Sequence, residues 1–447
     1  MIGKIKFYTA LLFAKCAYLS IKLLNKSSGT SFIGMMVLKI CPYFLSYCSK
    51  YIRKKNITIT GTNGKTTTSG LIAHILECAN QSVIHNLKGA NMLTGVANVF
   101  ALKLRPFKKF DYSVIESDEA YLTRLYDYMK SDYLVITNLF RDQLDRYGEL
   151  NTTAKYIKNA IDKNPDLKLI LNADDPIVAT FDRTKYAVYY GFEDVEYYCD
   201  YENKSNAPLE NFSCPCGSPL KYKKQFFAQQ GHYYCEKCSY KRANCDYAAK
   251  VKIYNDYSEI TVKNRKLETE FNFRINIAGL YNAYNALAAI AFAFENGLNQ
   301  QEIQNALNNF KSIFGRTEKR IINGHPAIIQ LIKNPTGARE VLKTVDLKSN
   351  IVIAINDNYA DGRDISWLWD SDFERLKDAE KLVITSGIRA NDMALRLKYA
   401  GIPSEKIIIE PSVKKAIQLA SSTGNPDDKI TILPSYTALL KINKEKL

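Results

Sequence analysis

Lys65 and Thr66 follow a glycine turn in the segment NITITGTNGKTTTSG, residues 56–70, and these residue types can bind phosphate. The five residues before the turn are mostly β-branched and predict a short buried strand. A strand, a glycine turn and a helix N-terminus let backbone amides face a phosphate, while lysine adds charge and a hydroxyl can bind magnesium. We therefore predict a nucleotide-phosphate loop formed by Gly61, Thr62, Asn63, Gly64, Lys65, Thr66 and Thr67.

The loop departs from the general phosphate-loop pattern at one position. That pattern places glycine where this chain has Ile59. The alternative is an ordinary strand, turn and helix that contains Gly-Lys-Thr by chance. The loop interpretation is favoured because every other element of the pattern is present in the right order.

Length and charge limit the class of partner. The 447 residues allow two or three domains, and 46% hydrophobic residues imply true cores. A formal net charge of +15 favours a nucleic acid, a phosphorylated substrate or an anionic membrane surface. The basic residues are spread along the chain and no nucleic-acid-binding motif occurs, so we expect no nucleic acid partner.

The segment before residue 56 contains apolar runs that Lys15 and Lys22 interrupt, so no continuous apolar span is long enough to cross a bilayer. It predicts an amphipathic helical lead-in, which either rests near a membrane surface or packs on the nucleotide domain. Ten cysteines without a convincing signal peptide indicate a reducing compartment. We expect a cytoplasmic protein at the inner face of the membrane.

Strands alternate with helices from residue 56 to about 190, and DYSVIES, DYLVITNL and LKLILNADD each end in polar residues. Ligands of parallel α/β sheets bind at such carboxyl ends. Residues 195–275 break this rhythm and are interpreted as an insertion. From about residue 325 a second series begins, with the strands AIIQLI, NIVIAIND, KLVITSG, KIIIE and KITILPS. We predict an α/β fold with three parts, at 1–55, 56–320 and 321–447.

Four cysteines in the insertion have the spacing of a structural zinc site. Cys214 and Cys216 form one pair, and Cys235 and Cys238 form a second pair further along the chain. Two close thiolate pairs suit tetrahedral zinc, and Gly217 follows the first pair where a knuckle turn needs it. We predict a zinc ribbon at about 196–246; the alternative is a set of free surface thiols.

Five motifs in order resemble those of the Mur ligases and folylpolyglutamate synthetases. They are TGTNGKTTT, TNLFRDQLDRYGE, LNADDP, GLYNAYNALAA and GRTEKR, and they cover roughly residues 56–320. Gln143 and Tyr281 stand where this family has histidine. The resemblance implies an ATP-dependent ligase with a Mur ligase-like central domain, and hence ATP and Mg²⁺ as cofactors.

Three departures narrow the resemblance. Only residues 1–55 precede the loop, where Mur ligases have a full UDP-sugar domain, and the cysteine insertion is foreign to the amino-acid-adding enzymes. The C-terminal part carries IKNPTGARE, residues 332–340, and INDNYADGRDISWLWD, residues 355–370. Together these resemble the MurT family, the ligase-like subunits of lipid II isoglutaminyl synthases, and imply a Rossmann-like C-terminal domain.

That resemblance implies amidation of the α-carboxylate of D-isoglutamate in the lipid II stem peptide through an acyl phosphate. The ammonia would come from a glutaminase subunit, GatD. Lys65 and Glu119 are then expected in catalysis, and Glu119 with Thr66 at magnesium. Glu116 is a second candidate magnesium carboxylate, Asn282 and Asn285 would reach the adenine, and Arg316 would meet the ribose or phosphates.

Three aspartates follow the strand NIVIAI, at Asp357, Asp361 and Asp364. One interpretation is turn chemistry with a helix cap. The other follows from the resemblance: one carboxylate orients the histidine of the partner's glutaminase site. We select Asp364, because it lies just past the Gly362 turn, and keep Asp357 and Asp361 in reserve.

Two other functions remain as alternatives. A stand-alone ligase of the Mur or folylpolyglutamate type would add an amino acid rather than ammonia. A nucleotide-binding assembly subunit with a zinc module would bind ATP without turnover. The chain has no recognisable glutaminase nucleophile motif, which favours a separate source of ammonia.

Overall fold

The structure is a computed structural model that describes residues 2–23, 30–86, 90–106, 108–140, 150–182, 186–198, 212–277, 279–310, 316–422 and 428–444. The chain forms two compact units. The first comprises Met1–Leu139, Leu150–Tyr198 and Leu209–Lys311, and the second consists mainly of Ser312–Leu447.

A nine-stranded sheet organises the first unit. Its strands in sheet order are β11 (Thr269–Ile275), β10 (Ser258–Asn264), β9 (Tyr247–Tyr254), β6 (Ala187–Tyr198), β5 (Lys168–Asn172), β4 (Tyr133–Ile136), β1 (Ile52–Thr60), β3 (Phe110–Glu116) and β2 (Val83–His85). Each pair of neighbours from β9 through β6, β5, β4, β1 and β3 to β2 is parallel. At the other edge, β10 pairs antiparallel with β9 and β11 pairs antiparallel with β10. The chain leaves β1 toward β2 on one side and later returns to β4 on the other. Such a switch in strand order creates a crevice at the carboxyl ends.

Helices cover this sheet. In chain order they are α1 (Ile2–Leu23), α2 (Thr30–Ile40), α3 (Phe44–Cys48), α4 (Lys65–Cys78), α5 (Leu93–Lys103), α6 (Glu119–Tyr128), α7 (Leu150–Asp162), α8 (Leu280–Glu295) and α9 (Gln300–Asn309). Helix α4 starts directly at the predicted phosphate loop, and α6 starts just after β3. Both N-termini therefore lie at the carboxyl edge of the sheet.

The N-terminal helices pack on the nucleotide domain. Buried side chains of α1, α2 and α3 join one apolar cluster with α5, α6 and α7, and Phe7, Ile33 and Phe44 are almost fully buried there. Among the described helices, none alone is long and apolar enough to cross a membrane. Two consecutive helical segments, Phe32–Ile40 and Phe44–Tyr51, together have the length and composition of a span, but they are bent by 88° with respect to each other. The buried faces of that pair are part of this core.

The cysteine insertion forms a small module with a sheet of its own within the first unit. It contains an antiparallel pair, β7 (Lys221–Phe227) and β8 (Gln230–Tyr234). The broader interpretation of residues 195–275 as an insertion is wrong after residue 246, because β9, β10 and β11 belong to the main sheet. Their alternating exposed charges hid this continuity in the sequence.

The second unit contains a six-stranded sheet. Its order is β12 (Arg316–Ile322), β13 (His325–Gln330), β17 (Ile430–Pro434), β14 (Asn350–Ala354), β15 (Val383–Ser386) and β16 (Ile407–Ile409). All neighbours are parallel except β12 and β13. The helices are α10 (Pro335–Lys343), α11 (Ala390–Tyr399), α12 (Val413–Ser422) and α13 (Tyr436–Lys444). The expected domain boundary after residue 320 falls inside β12.

Candidate functional site

The phosphate loop has a backbone that requires glycine at two positions. Gly61 and Gly64 adopt φ values of 126° and 86°. A Cβ on Gly61 would lie 2.3 Å from Thr137 Oγ1, and one on Gly64 would lie 2.1 Å from Asn285 Oδ1. The loop is therefore shaped both by left-handed backbone and by close neighbours.

The end of β4 holds the loop from one side. The Thr62 amide donates to the Asn138 carbonyl at 2.8 Å, and the Asn63 amide donates to Asn138 Oδ1 at 2.9 Å. In return, Thr137 Oγ1 and Asn138 Nδ2 donate to the Asn63 carbonyl at 2.7 and 3.0 Å. These hydrogen bonds between neighbouring strand ends fix the turn without any ligand.

Lys65 is buried beneath the loop and paired with a carboxylate. Its Nζ donates to the Gly61 carbonyl at 2.5 Å and lies 2.8 Å from Glu119 Oε1. Only 8% of Lys65 and 4% of Glu119 is exposed. The helix N-termini of α4 and α6 thus bring together two of the predicted catalytic residues, which are 54 positions apart.

The electrostatics of this pair come from burial and from several charges. Burial by itself lowers the pKa of Lys65, but the carboxylates of Glu119, Asp118 and Glu116 reverse the effect and raise it. Burial raises the pKa of Glu119, and Lys65 opposes that rise. The three carboxylates near Lys65 would repel a phosphate. Lys65 can therefore bind a phosphate only if some of this negative charge is neutralised.

Glu116 lies at the end of β3 and differs from Glu119 in its partners. Its backbone is held by Asn86, with a 2.8 Å bond in each direction. One carboxylate oxygen accepts from Asn91 Nδ2 at 3.3 Å, while the other, Oε2, is buried without a hydrogen-bond partner among the described residues. Such an oxygen is a suitable ligand for a cation.

The two asparagines of α8 are buried. Asn285 Oδ1 accepts from Thr68 Oγ1 at 3.2 Å and lies close to Gly64, so Asn285 supports the phosphate loop from the side of α8. Its Nδ2 is buried without a hydrogen-bond partner within the described ranges. Asn282 is only 1% exposed. An adenine contact for either residue stays a prediction.

A buried ionic network that the sequence did not reveal lies at the end of β5. Asp174 Oδ1 accepts from Arg242 Nε at 2.5 Å, and Oδ2 accepts from Tyr284 Oη at 2.8 Å and from the Phe192 amide at 2.7 Å. The Tyr284 ring stacks on Phe192, with centroids 3.8 Å apart. Asp174 belongs to the LNADDP motif, but nothing in the sequence pointed to Arg242 as its partner.

The four predicted zinc ligands come together. Their sulfur atoms all lie within 4.8 Å of one another, with 3.3 Å between Cys214 and Cys238 and 3.7 Å between Cys216 and Cys235. Tetrahedral zinc with bonds of about 2.3 Å requires sulfur separations of about 3.8 Å, so the set fits that ion. Gly217 has a φ of 86°, which gives the first pair its knuckle turn.

Amide groups support these sulfur atoms. The Lys237 amide donates to Cys235 Sγ at 3.4 Å, and the Tyr240 amide donates to Cys238 Sγ at 3.5 Å. Hydrogen bonds with Ser218 lower the pKa of Cys216, whereas burial raises the pKa of its neighbour Cys214. The four cysteines offer one sulfur each, which is the ligand number of a structural rather than an open catalytic zinc site.

The cysteine module is bonded to the strand end that holds the loop. Gln229, in the turn between β7 and β8, donates to the Leu139 carbonyl at 2.6 Å. Leu139 in turn donates its amide to Asp175 Oδ2 at 2.9 Å. Leu139 directly follows Asn138, so the residue that the module contacts and the residue that supports the loop are neighbours in the chain.

The aspartate segment of the second unit, which contains Asp357, Asp361 and Asp364, has a different partner for each carboxylate. Asp357 forms an ion pair with Arg389 at 2.6 Å. Asp361, 6% exposed, accepts from the Thr437 amide at 2.7 Å and from its hydroxyl at 2.5 Å, which caps α13. Asp364 is half-buried and accepts from the Ser366 amide at 2.8 Å.

Two expected elements fall wholly or partly outside the described residues. Residues 141–149 of the TNLFRDQLDRYGE motif are outside them, as is Gly315. For Arg316 the backbone begins β12, but its side chain lies outside the described part. Its predicted role at the nucleotide therefore stays a prediction.

Comparison with known proteins identifies the family. The Mur ligase middle domain matches residues 59–213, and the MurT ligase C-terminal domain matches residues 331–439. The subunit MurT of the glutamine-hydrolysing lipid II isoglutaminyl synthase from Streptococcus pneumoniae (strain ATCC BAA-255 / R6) is 36% identical over 401 residues, covering 87% of this chain and 86% of that protein.

Two further relatives agree. The corresponding MurT subunit from Staphylococcus aureus (strain COL) is 36% identical over 441 residues, which cover 97% of this chain and 96% of that protein. Among solved structures, a pseudomurein peptide ligase type C from Methanothermus fervidus matches with a TM-score of 0.68 and 25% identity, over 88% of this chain and 79% of that one. The resemblance inferred from the sequence is confirmed. The chain belongs to the MurT family of lipid II isoglutaminyl synthase subunits, with a Mur ligase fold.

Proposed function

We propose that this chain is the synthetase subunit that amidates the α-carboxylate of D-isoglutamate in the lipid II stem peptide. The carboxylate attacks the γ-phosphorus of ATP and ADP leaves, which gives an acyl phosphate. Ammonia then attacks the acyl carbon, phosphate leaves, and the nitrogen loses a proton. The proposal rests on the MurT relatives and on the phosphate loop at the carboxyl edge of the first sheet.

The observation that carries this chemistry is the buried pair of Lys65 and Glu119 beneath a preformed loop. A carboxylate is a poor electrophile, and it is activated by accepting a phosphoryl group from ATP. The phosphoryl group carries negative charge during the transfer, and nearby cations stabilise that charge. Lys65 already lies where the first turn of α4 opens, so it needs only to exchange Glu119 for a phosphate oxygen. Thr137 and Asn138 keep the loop shaped meanwhile, so little ordering is required on binding.

The residues present also fit a magnesium ion. Glu116 offers a buried oxygen without a partner among the described residues, Glu119 lies near Lys65, and Thr66 is partly exposed on the first turn of α4. Carboxylate and hydroxyl oxygens are the ligands magnesium prefers. When bound, magnesium would withdraw charge from the transferring phosphate. With Glu116 and Glu119 neutralised in this way, Lys65 would be free to contact phosphate.

The ammonia is proposed to come from a glutaminase subunit, GatD, that binds this chain as a heterodimer. Asp364 is the carboxylate offered to that subunit's histidine, because Asp357 and Asp361 are committed to Arg389 and Thr437. We expect the complex to work in the cytoplasm, at the inner membrane face where a lipid-borne substrate would be reached.

The decisive experiment supplies the chain with lipid II, ATP, Mg²⁺ and ammonium chloride, without any glutaminase. We expect ADP formation and a product about one mass unit lighter, because an amide NH₂ replaces a carboxyl OH. Adding the glutaminase subunit and glutamine should give the same product without ammonium. ATP turnover that requires an added amino acid, with a heavier product, would instead support the stand-alone ligase.

For the cysteine module we propose one structural zinc ion held by Cys214, Cys216, Cys235 and Cys238. Metal analysis of the purified chain should find about one equivalent, as four thiolates bind one ion. Cys238→Ser should lose this zinc, whereas the matched change Cys16→Ser, at an exposed cysteine of α1, should keep it. A folded, active preparation with neither zinc nor another metal would contradict the site.

A further inference from the structure

The outward side of α1 carries an apolar stripe that the nucleotide chemistry does not use. Phe7, Ala10, Leu11 and Ala14 face the core. On the opposite side of the helix, at intervals of three and four residues, lie exposed residues that form the stripe of α1: Ile2, Ile5, Tyr8, Leu12, Cys16, Leu19 and Leu23. Leu12, Leu19 and Leu23 are 65%, 58% and 85% exposed.

Lysines border this stripe. With about 3.6 residues per turn, Lys4, Lys15 and Lys22 lie along one side of it, and Lys6 lies on the other. Lysine stems of this kind can cover apolar surface while their charged ends point away. The helix has 22 residues, so the stripe extends for about 33 Å at a rise of about 1.5 Å per residue.

The surrounding sequence contains basic residues without acidic ones. The first acidic residue of the chain is Glu77. Before residue 56 the chain has ten basic residues, which are Lys4, Lys6, Lys15, Lys22, Lys26, Lys39, Lys50, Arg53, Lys54 and Lys55. This segment therefore carries a formal charge of +10, two thirds of the net charge of +15.

We propose that the stripe of α1 lies in the interfacial region of a bilayer that contains anionic lipid. The charge argues for this occupant: ten cations without an anion complement an anionic surface. A helix with one apolar face and flanking lysines has the composition of interfacial helices, whose apolar face enters the headgroup boundary by about 5–10 Å.

This inference deepens the proposed function and rests on it, since it explains how the enzyme meets a lipid-borne substrate. The bilayer contact would hold the chain by one helix whose inner face is part of the same core as the nucleotide domain. The binding requires neither ATP nor lipid II, so it can be measured without either.

The test is sedimentation of the full chain with sucrose-loaded vesicles of phosphatidylcholine and phosphatidylglycerol at 3:1, and with phosphatidylcholine vesicles alone. We expect binding to the anionic vesicles that weakens with salt. Leu12→Asp with Leu19→Asp should weaken it at least tenfold. Leu267→Asp is the matched control, because Leu267 is 61% exposed in the turn between β10 and β11.

A second variant separates charge from apolar burial. Lys4→Gln, Lys15→Gln and Lys22→Gln together should lower affinity for anionic vesicles by on the order of a hundredfold, at about 1 kcal/mol per lysine. Binding to phosphatidylcholine alone should change little. Circular dichroism and ADP affinity of each variant should match the unchanged chain, since every substituted side chain is at least partly exposed.

Three outcomes would overturn the inference. The unchanged chain could fail to sediment with anionic vesicles, or the stripe variant could bind them as well as Leu267→Asp does. The stripe variant could also keep vesicle binding but lose the glutaminase subunit or a second copy in size-exclusion chromatography, which would make the stripe a protein interface. Amidation of a water-soluble substrate fragment would be unaffected by any of these, so it tests the proposed function separately.

Discussion

The phosphate loop of the first unit and the aspartate segment of the second have the same position in their sheets, yet they are built differently. Both follow the carboxyl end of a buried parallel strand, β1 in one case and β14 in the other. In the phosphate loop the candidate catalytic cation, Lys65, is buried and already paired with Glu119. In the aspartate segment two carboxylates hold the segment itself, and Asp364 remains half-buried with a backbone partner.

This difference indicates which further groups each site needs for its proposed chemistry. The phosphate loop has a cation, carboxylates and a helix N-terminus in one place, so a small ligand completes it. The aspartate segment presents a carboxylate without a nucleophile or a base in its described surroundings on β14. Its proposed role is therefore that of one carboxylate in a set whose nucleophile and base the glutaminase subunit would supply.

The largest effect is expected from Lys65→Ala. Loss of the cation removes charge stabilisation during phosphate transfer, so amidation should fall by at least about a hundredfold with either ammonium or glutamine. The measurement is product formation by mass spectrometry, with Lys155→Ala on the exposed face of α7 as the control. Near-normal activity with ammonium would show that the loop does not transfer phosphate.

Asp364→Asn should separate the two sites. If Asp364 orients a histidine in the partner, glutamine-driven amidation should fall by about a hundredfold or more. Ammonium-driven amidation should stay within about twofold, because the phosphate loop is unchanged. Asp370→Asn, an exposed aspartate nearby, should affect neither. Equal losses with both nitrogen sources would place Asp364 in the fold or in the ligase chemistry.

Gly64→Ala tests whether the loop is preformed. The new Cβ would meet Asn285 Oδ1 and adopt a φ of 86°, and such strain costs on the order of 1–3 kcal/mol. We expect ADP affinity, measured by calorimetry, to fall about tenfold. Gly297→Ala is a matched control, because Gly297 has a φ of 80° but no heavy atom within 4 Å of the added Cβ. Equal affinities for the two variants would contradict a loop locked by its neighbours.

The smallest effect should come from Asp361→Ala. Loss of the bonds from Thr437 uncaps α13 and should lower stability by about 1–2 kcal/mol, seen as a lower Tm. Asp364→Ala should lower it less, because only one backbone amide loses its acceptor. If the order of the two Tm values were reversed, Asp364 rather than Asp361 would be the structural carboxylate.

Local pattern in the sequence was enough to predict both α/β units and much of the phosphate loop. Strand, glycine turn and lysine are adjacent in the chain, and the cysteine pairs have a recognisable spacing. The order of the strands and the partners of buried charges could not be read in this way. Glu116 and Glu119 were near-equivalent candidates in sequence. Only their described surroundings distinguish a carboxylate paired with Lys65 from one with an oxygen that lacks a partner there.

The same limit explains the residues that were missed. Asn138 and Thr137 were quoted within a motif, but their bonds to Asn63 depend on β1 and β4 being neighbours in the sheet. Arg242 is 68 positions from Asp174. It follows the cysteine pairs in the chain, and only the fold brings it to the buried carboxylate of Asp174.

The bond between Gln229 and Leu139 has a thermodynamic consequence. It joins the cysteine module to the residue that follows Asn138, and Asn138 shapes the phosphate loop. If binding of a metal by the module raises the affinity of the loop for nucleotide by some factor, nucleotide must raise the affinity of the module for the metal by the same factor. The reason is that the coupling free energy between two binding sites is reciprocal. A chelator titration with and without ADP would measure that factor from the metal side, where no catalysis intervenes.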